Sequence, residues 1–565
     1  MFKKITAVVL AVLMLMPIAA LAASAAQEDS YDIGFAVATD LHYVHPLSDA
    51  NARWSDTNPN MTFGSNGNLQ NESGFIIDEF LRQCAEDDDC DFVFIPGDIV
   101  TYGRDRPTDH NDIAEKFKKF EETTGKQVYV INGNHDNGLD SATDSKRFKE
   151  VYHEFGYDTA FAVDETCCSY ATELNDKYVL IALDSLNENY MLASGVDSAR
   201  LSWVKEQAMH AKELGKYPIV IMHHNLLEHQ PLELITNDKF IVSFPRTFAS
   251  LFAEWGIKLV FSGHTHINDA EVFTSPTGKM IYEFCGGSLN EYPMNYLSFK
   301  LNDEKMVYST KTIDSIDFEA LTSVVKTGYT EHELDLLENN FKQFVKEHYV
   351  GGIIKAVKGS ITPEGLGIEE DSALYAPAKK ITDNLNALLD KPIYGEDSIE
   401  SAAAKYNVSI PESDYESAWE IAEELYEDIV TGDRKYDFDS PEIQIVLGAV
   451  ETAIHMSASN ITDSTLYAIA KAIATAAGVK LPANIVGSIE YLALAIVSPY
   501  LYDYINSNDG LNNLNGEIGG YGADTSRIEN LTNAFNATGN RVIFYINMVL
   551  TLLKKSIEMY TGVAA

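Results

Sequence analysis

From residue 33 onward the chain repeats one pattern, a short apolar run closed by polar residues or glycine. IGFAVATD, DFVFIPGD, VYVINGNHD, YVLIALDS, YPIVIMHHN, IKLVFSGHTH and KMIYEFCGGS all have this form. Runs of that length, rich in Val, Ile, Phe and Tyr, predict buried strands. Helical patterns separate several of them. FIIDEFLRQCAED is one; in SARLSWVKEQAMHAKEL, Leu201, Val204, Ala208 and Leu214 fall on one face at helical spacing. Strands alternating with helices predict an α/β layered domain over residues 30–312.

Beyond about residue 315 the pattern changes. YESAWEIAEELYEDIV, SPEIQIVLGAVETAIHM, STLYAIAKAIATAAG, GSIEYLALAIVSPYLYDYI and NRVIFYINMVLTLLKKSIEMY read as helices, with loops such as NSNDGLNNLNGEIGGYGADTS between them. An all-α C-terminal domain is expected over 316–565. It shows no internal repeat and no catalytic constellation, and its acidic stretches read as solvated helix faces.

At the start, Lys3 and Lys4 precede an apolar run and small residues suited to cleavage near Ala22 or Ala25. That layout predicts a signal peptide over 1–25 and an exported protein, secreted or held in the cell envelope. Without Lys3 and Lys4 the formal charge moves from −42 to −44. No other stretch reads as a membrane span, since the apolar core VIFYINMVLTLL is about 12 residues where a bilayer needs about 20. The acidic balance disfavours a nucleic-acid binder, which needs a positive face, and disfavours docking on anionic lipid. Five cysteines are present. Cys84 and Cys90 flank AEDDD and are spaced so that a disulfide between them could close a small loop, though folding needs none, and the absence of CxxC spacing leaves no thiolate metal site.

The chemistry sits where five of the strands end. Asp40 and His42 follow GFAVAT, and Asp98 follows DFVFIPG. Asn134, His135 and Asp136 follow VYVING. His223 and His224 follow YPIVIM; His264 and His266 follow KLVFSG. In open α/β sheets reacting groups collect beyond the carboxyl ends of strands, so these five clusters are expected to meet at one sheet edge. Alone, Asp40-Leu41-His42 and Gly97-Asp98 are ordinary polar turns, while Gly-Asn-His-Asp and His-x-His are more specific; together the five make an oxygen and imidazole set without thiolate. That set suits Mn, Fe or Zn better than Ca or Mg, and its size suits two divalent ions sharing a carboxylate.

The order D-x-H, G-D, G-N-H-D, H and G-H-x-H resembles the calcineurin-like metallophosphoesterase superfamily, nearest in pattern to bacterial cyclic-nucleotide and glycerophosphodiester phosphodiesterases. The resemblance spans roughly residues 30–300 and implies a layered sandwich of mixed β-sheets flanked by helices. It implies that Asp40, His42, Asp98 and His266 hold one metal ion, and that Asp98 bridges to a second held by Asn134, His223 and His264. His135 would act on the phosphate with Asp136 orienting it, and a metal-bridging hydroxide would attack phosphorus. Where relatives read His-His-Pro, this chain reads His223-His224-Asn225, so His224 is the alternative ligand to His223.

The implied activity is phosphodiester hydrolysis, on a small-molecule or polymeric substrate. A phosphomonoesterase with the same site, or a surface-binding protein with a non-catalytic site, are the other readings. A monoester usually recruits cationic side chains, for which Arg104 and Arg106 are the candidates. Tyr43, His45 and Trp54, in or beside the loop after the first motif, are candidate substrate contacts.

Overall fold

The protein is described by a computed structural model over residues 30–46, 69–103, 107–136, 141–187, 190–229, 240–325, 328–365, 368–431, 440–457 and 515–519. The expected signal peptide, Trp54, Arg104, Arg106 and the helical patterns beyond residue 457 lie outside these residues.

The strands are β1 (Ile33–Val37), β2 (Phe92–Ile95), β3 (Gln127–Val130), β4 (Ala160–Val163), β5 (Tyr170–Glu173), β6 (Tyr178–Leu183), β7 (Leu186–Asn187), β8 (Tyr190–Ser194), β9 (Tyr217–Met222), β10 (Leu259–Ser262), β11 (Asp269–Thr274), β12 (Met280–Cys285), β13 (Asn295–Leu301), β14 (Lys305–Thr312) and β15 (Asn515–Gly519). One mixed sheet has the order β15-β14-β13-β1-β2-β3 and the other β11-β12-β10-β9-β6-β5-β4. Strands β1, β2 and β3 are parallel, as are β6, β9, β10 and β12. The hairpin β7–β8 stands apart.

The helices are α1 (Ser73–Glu86), α2 (Pro107–Thr124), α3 (Ser141–Val151), α4 (Ser198–Glu213) and α5 (Pro245–Trp255), then α6 (Phe318–Val324), α7 (Glu331–Asn339), α8 (Phe341–Ser360), α9 (Tyr375–Leu389), α10 (Ile399–Ala403), α11 (Ala418–Thr431) and α12 (Pro441–Ser457).

Period-two alternation places the apolar faces. Leu180, Ala182, Ile219, Ile221, Leu259 and Phe261 share the large core with the first sheet, whereas Val179, Ile181, Val220 and Val260 pack with Val204 and Ala208 of α4 and Phe252 of α5. A sheet covered on both faces has no polar side, which is why these strands read as unbroken apolar runs. Between the sheets, Phe261 meets Phe35 at 5.4 Å and Phe94 at 6.4 Å between ring centroids. Burying each such ring contributes about 1.5–3 kcal/mol.

Past residue 315 the regular elements among the described residues are helices except for β15. That strand is an addition to the expected all-α region: it pairs antiparallel with β14 at the edge of the first sheet. Leu321, Leu336, Phe341, Phe344 and Tyr349 join the large core itself, while Leu389, Ile393, Ile399, Ile421 and Ile445 form a separate cluster. All five cysteines are buried free thiols. Cys84 and Cys90 are not bridged here, and the Cys90 thiol donates to the Phe92 carbonyl, 3.2 Å away.

Candidate metal centre

The expected polar clusters end β1, β2 and β3 of one sheet and β9 and β10 of the other, so they converge from two sheets and not from one edge. Packing the sheets face to face brings the five carboxyl ends together. The turns there are tight. Asp40, His42, Asp98, His264 and His266 all have positive φ, at 51°, 44°, 48°, 70° and 57°. Left-handed backbone at a non-glycine residue costs on the order of 1–3 kcal/mol and persists only where its surroundings fix it. Here it swings consecutive side chains back over the strand ends. Glycine supplies the clearance: a Cβ built on Gly133 would overlap Asp98 Oδ1, and one on Gly263 would overlap the side chains of Thr39 and Asp40.

Three sets of ligand-type atoms lie within 4.8 Å of one another: Asp40, His42 and His266; His42, Asp98 and His135; and Asp98, His223 and His264. In the first, His42 Nε2 and His266 Nε2 are 3.2 Å apart. His266 Nδ1 faces Glu291 Oε2 at 2.9 Å, so that nitrogen carries the proton and Nε2 presents its lone pair. Asp40 Oδ1 is 3.2 Å from His266 Nε2, and Asp98 Oδ2 is 3.9 Å from His42 Nε2. Lone pairs therefore converge from imidazoles and carboxylates on one point.

Asp98 is shared. Its Oδ1 accepts the His135 backbone N–H at 2.7 Å, and its Oδ2 lies 3.3 Å from His223 Nε2. Asn134 Oδ1 is 3.0 Å from the same nitrogen. The buried His264 Nε2 has no hydrogen-bond partner, and neither does Asp40 Oδ1. Orphaned buried donors and acceptors are costly, and a bound cation accounts for such a collection of aimed nitrogen and oxygen atoms. The donor set fits two transition-metal ions.

Of the adjacent histidines, His223 reaches Asp98 and Asn134. His224 turns its Nδ1 to Ser185 Oγ at 2.9 Å and belongs to none of the three sets. Asp136 does not orient the His135 ring. Its carboxylate accepts the backbone N–H groups of Gly133 (2.8 Å) and Val100 (3.0 Å), tying two motif turns together. His135 is oriented by the Thr101 carbonyl, 3.0 Å from Nδ1, which leaves Nε2 free. Tyr43 is buried in the core, and His45 lies at the surface paired with Asp112 at 2.9 Å, so neither candidate contact sits among the clustered ligands.

Charge follows from burial and neighbours. Burial raises the Asp98 carboxyl, but His223 and His135 outweigh it and hold the group well below its usual range. Burial likewise works to raise Asp40, and His266 brings it below its ordinary value. His42 is pushed down to about 3 by burial and by His135. Burial and His224 press His264 well down. Burial works to lower His223 and His266 as well, but Asp98 draws the first up to about 9 and Glu291 holds the second well above its usual range, so a cation taking these two as ligands displaces a proton from each.

Sequence reasoning missed the outer partners. Thr39 Oγ1 donates to Asp40 Oδ2 at 2.7 Å, the Pro96 carbonyl accepts from His223 Nδ1 at 3.0 Å, and Glu291 holds His266. The carbonyls carry no side-chain signature, and Glu291 lies 25 residues from its imidazole.

Residues 33–268 match the family described as calcineurin-like phosphoesterase. Similar solved structures include a dimetal phosphatase from Danio rerio, at 12% identity over 50% of this chain and 97% of that one, with a TM-score of 0.35. PhoD is 8% identical over 51% and 67%, with a TM-score of 0.34. The NAD nucleotidase of Haemophilus influenzae is 12% identical over 56% and 60%, with a TM-score of 0.29. No curated protein matches.

Proposed function

We propose that the protein, whose residues 33–268 match the calcineurin-like phosphoesterase family, is a metal-dependent hydrolase and, more finely, an exported dimetal phosphodiesterase. The observation that carries the reading is the shared carboxylate: Asp98 lies in two of the three ligand sets, one with His42 and one with His223 and His264. Asp40, His42, Asp98 and His266 would hold one ion, and Asp98, Asn134, His223 and His264 the other. Mn, Fe and Zn all suit these donors. Two ions so held supply Lewis-acid polarisation of phosphoryl oxygens and acidify a water for in-line attack.

The chain's own residues do the rest. His135 carries its proton on Nδ1 toward Thr101, so Nε2 is the atom that exchanges a proton with the substrate: protonated, it donates to a phosphoryl or leaving-group oxygen. Asp136 keeps the Gly133 and Val100 backbones in register, and with them Asn134 and Asp98. Among the described residues, the side chains in these contacts are imidazoles, carboxylates, amides and hydroxyls. The diester preference follows the likeness of the motif order to bacterial phosphodiesterases; Arg104 and Arg106, the cations a monoester would recruit, lie outside the described residues. Export rests on the leader pattern of residues 1–25, and no helix among the described residues is long and apolar enough to cross a membrane.

The test compares hydrolysis of bis-p-nitrophenyl phosphate and p-nitrophenyl phosphate after Mn²⁺ addition, with metal content and an Asp98→Asn variant alongside. About two ions per chain, with diester cleavage the faster and lost in the variant, supports the proposal. Faster monoester cleavage overturns the substrate class, and metal-free, inactive folded protein overturns the whole reading.

A further inference from the structure

One ligand of the candidate centre is held from the helical region, outside residues 33–268. Glu291 Oε2 accepts from His266 Nδ1 at 2.9 Å, and the same oxygen accepts the phenolic O–H of Tyr349 at 2.6 Å. Tyr349 lies on α8 and in turn accepts from Tyr426 of α11, 3.0 Å away. Glu291 is 2% exposed and Tyr349 6%. A buried carboxylate needs its lone pairs occupied, and a charge-assisted bond from a buried phenol fixes it more firmly than water does.

We propose that Tyr349, backed by Tyr426, is a positioning residue of the metal centre, acting through Glu291 to fix the ring plane of His266. The proposal rests on the dimetal reading. It gives the helical region a chemical part in that site. His266 sits on a turn with φ of 57° and its ring is not closed in on all sides, its side chain being 20% exposed. Of its contacts, the one at Nδ1 fixes the tautomer that leaves Nε2 for the cation. The bond from Tyr349, on a helix packed in the core, gives the same Glu291 oxygen a second fixed point.

The alternative is that Tyr349 is a core tyrosine that found an acceptor, and metal affinity separates the two. Mn²⁺ affinity of the full chain is measured by competition against a chelating dye for wild type, Y349F, E291Q and the double variant, with apo-protein melting as the fold control. Outer partners of metal-bound histidines typically contribute 10–100-fold in affinity. E291Q is expected to lose that much and Y349F about tenfold, with the double variant no worse than E291Q alone, because a residue acting through Glu291 has nothing further to lose. Wild-type affinity in Y349F, or losses that multiply in the double variant, overturns the proposal. Should Y349F fail to fold, Y426F carries the same test with a smaller expected loss. Wild-type protein that binds no Mn²⁺ fails the dimetal reading itself; two bound ions with indifferent variants fail only this inference.

Discussion

His223 Nδ1 lies 3.0 Å from the carbonyl oxygen of Pro96, at the turn that carries Asp98. The ring therefore donates from Nδ1 and presents Nε2 to the second ligand set, while His224 is turned away to Ser185. Substituting His223→Asn should remove one of the two ions and cost more than the roughly 10–100-fold seen for outer partners. His224→Asn should keep the stoichiometry. Elemental analysis of both variants decides it, and the opposite pattern would make His224 the ligand.

His135 makes a separate prediction because its ring is anchored at Nδ1 by the Thr101 carbonyl while it lies in only one of the three ligand sets. His135→Ala should retain both ions and lower kcat by about 10²–10⁴-fold, the usual contribution of a positioned proton donor. Loss of metal along with activity would instead make His135 a ligand.

Gly133 has no room for a side chain beside Asp98, whose Oδ1 occupies the place of the missing Cβ. Gly133→Ala must push the two motif turns apart. It should lower metal occupancy at both ions together, since Asp98 is shared, and lower the melting temperature. Unchanged occupancy in a folded variant would show that the turns are looser than their contacts imply.

How much of this was legible in the sequence depends on what each residue has to signal. The strands were legible because both faces of the central ones are buried, so Val220 and Ile221 need the same chemistry though they point to different cores. The candidate cluster was legible because Asp, His and Asn follow strand ends in sequence. The convergence of two sheets was not, since nothing local distinguishes the end of β3 from the end of β9. Nor was the role of Asp136, whose partners are backbone N–H groups. The strand β15 was hidden for another reason: NGEIG has little β-propensity and is ordered by its pairing with β14.

Glu121 supplies a pH dependence away from the metals. Its carboxylate accepts the Val128 N–H at 2.8 Å, yet burial pushes it up to about 7, with Asp158 and Glu154 adding to the rise. A raised folded value means the unfolded chain gives up this proton first, near the ordinary 4.5. The ionised carboxylate therefore costs stability progressively as pH rises from about 4.5 to about 7, and the cost is constant above that. Glu121→Gln removes it while keeping an acceptor for Val128. The melting temperature of the variant minus that of wild type should rise between pH 4.5 and 7.5, and a flat difference would refute the assignment.

The helical region reads from its sequence as a separate domain beginning at residue 316, but the apolar core crosses that boundary. Leu321, Leu336, Phe341, Phe344 and Val345 are packed in one cluster with Phe35, Phe94 and Phe299 of the sheet. Phe344 is 2% exposed, and truncating a buried phenylalanine to alanine costs about 3–5 kcal/mol. If the two parts share a core, Phe344→Ala lowers a single unfolding transition followed both by far-ultraviolet dichroism and by loss of phosphoesterase activity. Chain ended at residue 315 would then expose the contacting face of the sheet and aggregate. If they are independent, the variant shifts only the dichroism transition, activity survives to the wild-type temperature, and the truncated chain stays soluble and active. The continuity of packing around Phe344 favours the first outcome, because a face stripped of that many apolar contacts has no polar surface to offer water.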